Sequence, residues 1–182
     1  MRTPIFLNEP RRGDRSRLRR EPQPSIIETC RRSAASFRRY SCFMPNLSPE
    51  TIERLVEAAT SVRDNAHAPY SGFKVGAAIL DANGRLHEGC NVENASYGLS
   101  VCAERHAVAA SVSAGGDGIV ALAVVTDTNP PASPCGACRQ VLVEFGEFPV
   151  ILANPAGERI VTSVGDLLPD AFTPESLKKS RE

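Results

Sequence analysis

Three cysteines and a neighbouring glutamate constrain this chain more than any other feature. Glu104 follows Cys102 by two residues, and Cys135 and Cys138 form a Cys-x-x-Cys motif further along the chain. Three thiolates can hold a zinc ion and leave its fourth tetrahedral position open to water. A carboxylate beside that position can move the protons of the water. The sequence therefore predicts a hydrolytic zinc site and a fold that brings these two distant segments together.

Both cysteine segments are predicted to lie at helix starts. One helix is predicted from Cys102 to Ala114, and another over residues 136–145, just after Cys135. Unpaired N–H groups and the positive end of the helix dipole stabilise thiolates at such positions. Residues two apart do not share a helix face, so Cys102 and Glu104 can converge on one metal only over the end of the helix. We therefore expect Glu104 to act on the water and not to be a fourth ligand.

Two other interpretations of the cysteines compete with the open site. A Cys-x-x-Cys motif can be redox-active, but a redox motif has no use for Cys102 or Glu104. His106 lies four residues after Cys102, on the same helix face. It could close a four-ligand structural zinc site in a non-enzymatic binding module, with the ligands Cys102, His106, Cys135 and Cys138. That interpretation leaves Glu104 unexplained.

The residues beside the motifs indicate which charges accompany the site. Three thiolates on a divalent ion leave a net negative charge, which opposes ionisation of the bound water. Arg105 is the expected charge compensation, and Arg139 is a weaker candidate for the same role. His67 and His87 have no motif context and are predicted at the surface.

The order of the predicted elements indicates an α/β fold. A helix is predicted to begin at Ser48-Pro49-Glu50, because Ser can cap a helix and Pro suits its first position. Asn83-Gly84 predicts a hairpin turn. Strands are predicted over residues 74–80, 85–92, 119–126, 150–153 and 159–164, and a short helical turn near 166–168. This order predicts one mixed five-stranded sheet with helices on its faces, a three-layer α/β/α arrangement.

Residues 1–43 differ in composition from the rest of the chain. They hold eleven arginines and four acidic residues, a formal charge of +7, so the remainder of this neutral chain carries −7. They lack apolar periodicity and are predicted to be disordered, with the catalytic domain over residues 44–182. A non-functional tail, an organelle-targeting peptide and a nucleic-acid-binding arm are all compatible with this composition.

The expected compartment is the cytoplasm. Residues 1–20 lack the apolar core of a secretory signal, and no apolar run reaches the length of a membrane span. Without secretory context, a Cys-x-x-Cys pair is more often a metal site than a structural disulfide. A membrane partner is not expected.

Four blocks of sequence resemble the small cytidine deaminases of pyrimidine salvage. They are FKVGAA at 73–78, GCNVENASYG at 89–98, CAER at 102–105 and PCGACRQ at 134–140. They occur in the order and spacing of that family, and the resemblance runs from about residue 48 to about residue 172. It implies a cytidine-deaminase-like fold, one zinc per subunit and a homotetramer with shared active sites.

The resemblance also implies roles for residues outside the zinc site. Asn91 and Glu93 match a pair that hydrogen-bonds the ribose 3′-hydroxyl. Phe73 matches an aromatic beside the pyrimidine and the ribose, and the backbone N–H of Ala103 matches a donor to the base.

Three further residues match positions that act across subunits. Ala95 and Tyr97 match residues that reach the ribose 5′ side in a neighbouring subunit. Phe172 matches a C-terminal aromatic that stacks on the base.

The function implied is zinc-dependent hydrolytic deamination of cytidine and deoxycytidine to uridine and deoxyuridine, with release of ammonia. Glu104 would take a proton from the water, deliver it to N3 of the base and then protonate the departing amine. A deaminase of another cytosine-bearing compound, such as an aminonucleoside antibiotic, is the alternative enzyme. A nucleic-acid substrate is disfavoured, because the domain without its first 43 residues carries a charge of −7.

Overall fold

One mixed sheet organises residues 47–178, the part of the chain that the computed structural model describes. Its strands are β1 (Gly76–Asp81), β2 (Leu86–Cys90), β3 (Ile119–Val125), β4 (Pro149–Ala153) and β5 (Arg159–Ser163). Their spatial order is β2-β1-β3-β4-β5. β3 and β4 run parallel, and the other neighbours are antiparallel. The predicted mixed five-stranded sheet is confirmed. The predicted disorder of residues 1–43 lies outside the described residues.

Five α-helices accompany the sheet in the described part of the chain. They are α1 (Pro49–Arg63), α2 (Ala103–Ser113), α3 (Gly136–Val143), α4 (Val164–Leu167) and α5 (Pro174–Lys178). A 3-10 turn, Tyr97–Leu99, precedes α2. The sequence did not predict this turn or α5. Over the described residues, no helix combines the length and apolarity that crossing a bilayer requires.

The start of α1 is built as its sequence predicts. The Ser48 side chain accepts a hydrogen bond from the Thr51 N–H at 3.1 Å, and Pro49 occupies the first helical position. This cap satisfies one of the N–H groups that the first turn of a helix leaves unpaired.

The two faces of the sheet bury separate cores, which confirms the three-layer arrangement. On one face, α1 packs its buried side chains on alternate residues of the central strands, including Ala78, Ala123 and Ile151. On the other face, α2 and α3 pack on the intervening residues, including Ile79 and Leu122. This alternation follows from the two-residue period of a strand.

A glycine allows α2 to lie directly against β2. A Cβ atom at Gly89 would lie 2.4 Å from the Ala107 nitrogen and 2.6 Å from the Ala103 carbonyl oxygen. Both distances are far below a van der Waals contact, so any larger residue would push the helix away. The β2 backbone therefore sets the position of the start of α2, where Cys102 caps the helix and Glu104 lies in its first turn.

A buried carboxylate fixes the other end of α2. Asp81 accepts hydrogen bonds from the Arg85 Nε at 2.9 Å and the His87 Nε2 at 2.9 Å, and its Oδ1 accepts the backbone N–H groups of Asn83 and Arg85. The Arg85 guanidinium also donates to the carbonyl oxygens of Ala114 and Gly115, just beyond α2. The prediction that His87 lies at the surface is wrong: its side chain is buried against Asp81.

Candidate active site

The three predicted ligand cysteines meet where α2 and α3 begin. Cys102 and Cys135 are the residues that precede these helices, and Cys138 lies in the first turn of α3. The Sγ atoms of Cys102 and Cys135 are 3.8 Å apart, and those of Cys135 and Cys138 are 3.5 Å apart. All three lie within 4.8 Å of one another. A tetrahedral zinc with bonds of about 2.3 Å to sulfur requires separations of about 3.8 Å, so this set fits zinc.

The electrostatics of the three thiols also fit a cation. The pKa of Cys102 is lowered to about 5, chiefly by its hydrogen bond with Cys138 and then by Cys135 and Arg105, against the effect of burial. The pKa of Cys138 is raised, first by its hydrogen bond to Cys102 and then by burial and the charge of Glu104. Without a cation the pair thus holds one thiolate and resists a second. A divalent cation supplies the charge that this donor set lacks.

Glu104 lies beside the sulfurs in the first turn of α2, with only 4% of its surface exposed. Burial raises the pKa of its carboxyl group, and the charge of the Cys102 thiolate adds to the rise. Its own backbone N–H, the Cys138 thiol and Arg105 oppose the shift but do not overcome it. A carboxyl group in this environment can accept and then release a proton at a nearby reacting atom.

The two candidate compensating arginines have different partners. Arg105 interacts with the sulfur atoms of Cys102 and Cys138, and its Nη2 donates to the Ser100 carbonyl oxygen at 3.0 Å. Its buried Nε has no partner among the described residues. Arg139 instead donates to three oxygens: the carbonyls of Pro134 and Leu167 and the Ser133 hydroxyl. Arg139 therefore anchors the segment before Cys135 and does not face the sulfurs.

His106 does not complete a four-ligand site. Its Nδ1 lies 2.8 Å from the carbonyl oxygen of Cys90, a hydrogen bond in which the ring donates to β2. Among the described residues, the group of ligand atoms that could share a metal consists of the three cysteines alone. The closed structural site is thus not favoured.

The segment that carries Asn91 and Glu93 is tied to the metal segment by backbone hydrogen bonds. Val92 exchanges two bonds of 3.0 Å with Val101, the residue before Cys102. On its other side, the segment pairs with His67, whose N–H donates to Asn91 and whose carbonyl accepts from Glu93. Main-chain hydrogen bonds therefore hold the predicted ribose site, at Asn91 and Glu93, in a fixed position relative to the metal ligand Cys102.

Both polar side chains of this segment also hold the loop before β1. The Asn91 amide accepts from the Val75 N–H and donates to the Phe73 carbonyl, both at 2.8 Å. Glu93 accepts the N–H groups of Tyr70 at 2.9 Å and Ser71 at 3.2 Å, and the Ser71 hydroxyl bonds its other oxygen. The bond with Ser71 is the main reason that the pKa of Glu93 is lowered, so this carboxylate is held ionised.

A cleft of about 330 Å³ opens beside Glu93. It is lined by Tyr70, Ser71, Glu93, Tyr97 and Ser100. The rings of Tyr70 and Tyr97 meet edge to face, with centroids 5.9 Å apart. This volume is within the range of small-molecule sites. The sequence interpretation missed Tyr70, Ser71 and Ser100, although the turn-forming Tyr-Ser-Gly stretch between α1 and β1 was a signal that could have found them.

The remaining predicted site residues differ in exposure. Ala103 is fully buried as the first residue of α2, where a backbone N–H has no partner within the helix. Phe73 is 39% exposed, Tyr97 is 76% exposed and Phe172 is 59% exposed. Ala95 is also exposed. In a single chain these aromatic surfaces are uncovered.

Comparison with known proteins identifies the family. The family model described as "Cytidine and deoxycytidylate deaminase zinc-binding region" matches residues 49–153. The chain is 47% identical over 133 residues to the cytidine deaminase of Sporosarcina psychrophila, across 72% of this chain and 98% of that protein. It is 47% identical over 123 residues to the cytidine deaminase of Mycobacterium tuberculosis, across 68% of this chain and 90% of that protein.

Solved structures agree with the sequence relatives. The crystal structure of cytidine deaminase from Burkholderia pseudomallei superposes with a TM-score of 0.64 at 53% identity, covering 66% of this chain and 98% of that one. That of the Mycobacterium tuberculosis cytidine deaminase gives a TM-score of 0.59 at 46% identity, covering 66% of this chain and 96% of that one. With its cysteine cluster, its sheet order and these matches, the chain belongs to the cytidine and deoxycytidylate deaminase zinc-binding family.

Proposed function

We propose that this protein is a zinc-dependent deaminase that converts cytidine and deoxycytidine to uridine and deoxyuridine and releases ammonia. One observation carries the proposal: three Sγ atoms within 4.8 Å of one another lie beside the buried carboxyl group of Glu104. A structural zinc site needs four closed ligands and no adjacent acid. The family membership and the relatives named cytidine deaminase support the same conclusion.

The ligands of the zinc are Cys102, Cys135 and Cys138, with one ion per subunit. When bound, zinc lowers the pKa of a coordinated water so that it ionises near neutral pH. Arg105 offsets the negative charge of the three thiolates, because its guanidinium interacts with two of them.

Glu104 moves the protons of the reaction. Its carboxylate accepts a proton from the attacking water and delivers it to N3 of the cytosine, and C4 then carries both oxygen and amine. Glu104 next takes the second proton from the C4 hydroxyl and transfers it to the amine, so that the C4–N bond breaks, ammonia leaves and C4 becomes the carbonyl of uridine. The raised pKa of this carboxyl group suits a residue that acts first as base and then as acid.

The base and the sugar are held by groups on both sides of Glu104. The backbone N–H of Ala103 has no carbonyl partner within α2, because Ala103 is the first residue of the helix. This N–H donates to the base. Asn91 and Glu93 receive the ribose 3′-hydroxyl, since one amide hydrogen and one carboxylate lone pair stay free after their bonds to the loop. Phe73 covers the pyrimidine and the ribose.

Residues that a single chain leaves exposed complete the site across a homotetramer. Tyr97 and Ala95 reach the ribose 5′ side in a neighbouring subunit, and Phe172 stacks on the base there. The exposure of both aromatic rings supports this role, because large apolar surfaces on a monomer mark contact sites. A monomer in multi-angle light scattering would contradict it.

The enzyme would serve pyrimidine salvage in the cytoplasm. None of its four described cysteines is in a disulfide, and a reducing compartment keeps the sulfurs of the three proposed zinc ligands available to the metal. A membrane or nucleic-acid partner is not needed for this function.

Ammonia release and zinc content together test the proposal. The 182-residue chain and residues 44–182 are assayed with cytidine, deoxycytidine, an aminonucleoside antibiotic and a single-stranded oligodeoxynucleotide. Zinc is measured by atomic emission. We expect release from the two nucleosides, one zinc per subunit and no turnover of the oligonucleotide. Release from the antibiotic alone would favour the alternative enzyme, and loss of activity in residues 44–182 would contradict the proposed domain boundary.

A further inference from the structure

The Ser71 hydroxyl lies between two groups of the proposed sugar site. It bonds one carboxylate oxygen of Glu93 and accepts the backbone N–H of Phe73 at 2.9 Å. The Ser71 N–H also donates to the other oxygen of Glu93, at 3.2 Å. One residue thus connects the carboxylate assigned to the 3′-hydroxyl with the aromatic assigned to the base.

These bonds leave little freedom to the Glu93 carboxylate. A carboxylate offers about four lone-pair sites. Tyr70 occupies one of them, and Ser71 occupies two, through its N–H and its hydroxyl. The direction of the remaining lone pair, and so of any further hydrogen bond, is fixed largely by Ser71.

The loop around Ser71 has supports that do not involve the hydroxyl. The Gly72 N–H donates to the Ala68 carbonyl at 3.0 Å, and Gly72 adopts a φ of 67°, which glycine accommodates without strain. Asn91 holds the other end of the loop through Phe73 and Val75. Ser71 itself is exposed, so removing its hydroxyl leaves no cavity and no buried polar group.

We infer that Ser71 is a positioning residue for specificity: its hydroxyl orients Glu93 so that the enzyme selects nucleosides that carry a 3′-hydroxyl. This inference rests on the proposed function. It does not place Ser71 in contact with the reacting atoms. Because Asn91 also holds Phe73 through its carbonyl, most of the effect of Ser71 should depend on the hydroxyl that Glu93 receives.

The test combines a variant with a modified substrate. Wild type and Ser71→Ala, both zinc-loaded, are assayed for kcat and KM with cytidine and with 3′-deoxycytidine. For Ser71→Ala we expect kcat/KM for cytidine to fall about tenfold, mostly through KM, as for loss of one hydrogen bond to a charged group. The value for 3′-deoxycytidine should change less than twofold, so the selectivity falls.

Three controls separate positioning from a structural role. Ser71→Thr keeps a hydroxyl and should restore the selectivity. Ser61→Ala removes the hydroxyl of an exposed serine on α1 and should leave kcat/KM unchanged for both substrates. In a Glu93→Gln background, adding Ser71→Ala should lower kcat/KM for cytidine by less than a further twofold, because Ser71 acts through the Glu93 carboxylate.

The outcomes are distinguishable. Equal losses on both substrates, or no loss on cytidine, would overturn the role of Ser71 while leaving the deaminase intact. A zinc-loaded wild type that releases no ammonia from cytidine would overturn the proposed function and this inference with it.

Discussion

Two buried acids, Glu104 in the first turn of α2 and Asp81 at the end of β1, have opposite environments. Glu104 is 4% exposed and Asp81 is 1% exposed. Burial raises the pKa of Glu104, and the nearby Cys102 thiolate adds to the rise. The few groups that lower this pKa do not overcome it. Burial acts in the same direction on Asp81, but His87 and Arg85 donate to it and lower its pKa to about 2.

The difference shows which carboxylate stabilises the fold and which is available for chemistry. A buried carboxylate that receives several hydrogen bonds is fixed in its ionised form and holds its neighbours together. A buried carboxylate that receives few can change its protonation state during a reaction. The isosteric amide substitutions Asp81→Asn and Glu104→Gln should therefore have different effects, the first on stability and the second on activity.

Removing a ligand should have the largest effect. We expect Cys135→Ala to lose zinc, activity and stability together, since metal-binding energy is also folding energy in such a site. Zinc content by atomic emission, ammonia release and thermal unfolding measure the three losses. Cys90→Ala is the matched control, because Cys90 is half-buried and outside the metal group. A Cys135→Ala protein that retains one zinc would show that the metal is held elsewhere.

The amide substitution at Asp81 should affect stability alone. Asp81→Asn places a donor where His87 and Arg85 already donate, so the melting temperature should fall by roughly several degrees. Its kcat should stay within about twofold of wild type, because Asp81 lies at the end of β1 and its partner Arg85 contacts the C-terminal end of α2, away from the site. Asp117→Asn, at an exposed acid, controls for the loss of one charge. An unchanged melting temperature for Asp81→Asn would refute the stabilising role.

The same residue predicts how stability depends on acid pH. The folded pKa of Asp81 is about 2, and an unfolded aspartate titrates near 3.9. The carboxylate therefore stabilises the fold fully above about pH 4, and this contribution is lost as the pH falls towards about 2. Thermal unfolding at several pH values should show a steeper loss for wild type than for Asp81→Asn in that window. Parallel curves would contradict the assignment.

Much of the fold could be predicted from local patterns. The Ser48-Pro49-Glu50 start, the Asn83-Gly84 turn and the apolar runs each report on a few neighbouring residues, and all of them are confirmed. The strand order needs contacts between distant segments, which no single segment reveals.

The sites illustrate the same limit. The cysteine motifs predict the metal group, because the Cys-x-x-Cys spacing and the Cys102–Glu104 pair can each be recognised within a few residues. The sequence predicts His87 at the surface because a lone histidine carries no motif, whereas the structure buries it against Asp81 across the β1–β2 hairpin. The sequence does not identify Ser71, because its importance comes from Glu93, which lies 22 residues away in the chain.

Turnover by Glu104→Gln, in protein shown to contain zinc, tests the central claim most directly. We expect kcat for cytidine to fall by about 10²- to 10⁴-fold, because the amide cannot accept or deliver a proton. Zinc content and melting temperature should not fall, since the amide removes a buried carboxyl group that few donors satisfy. Near-normal turnover, or a loss of activity explained by loss of zinc or of the fold, would contradict the role of Glu104.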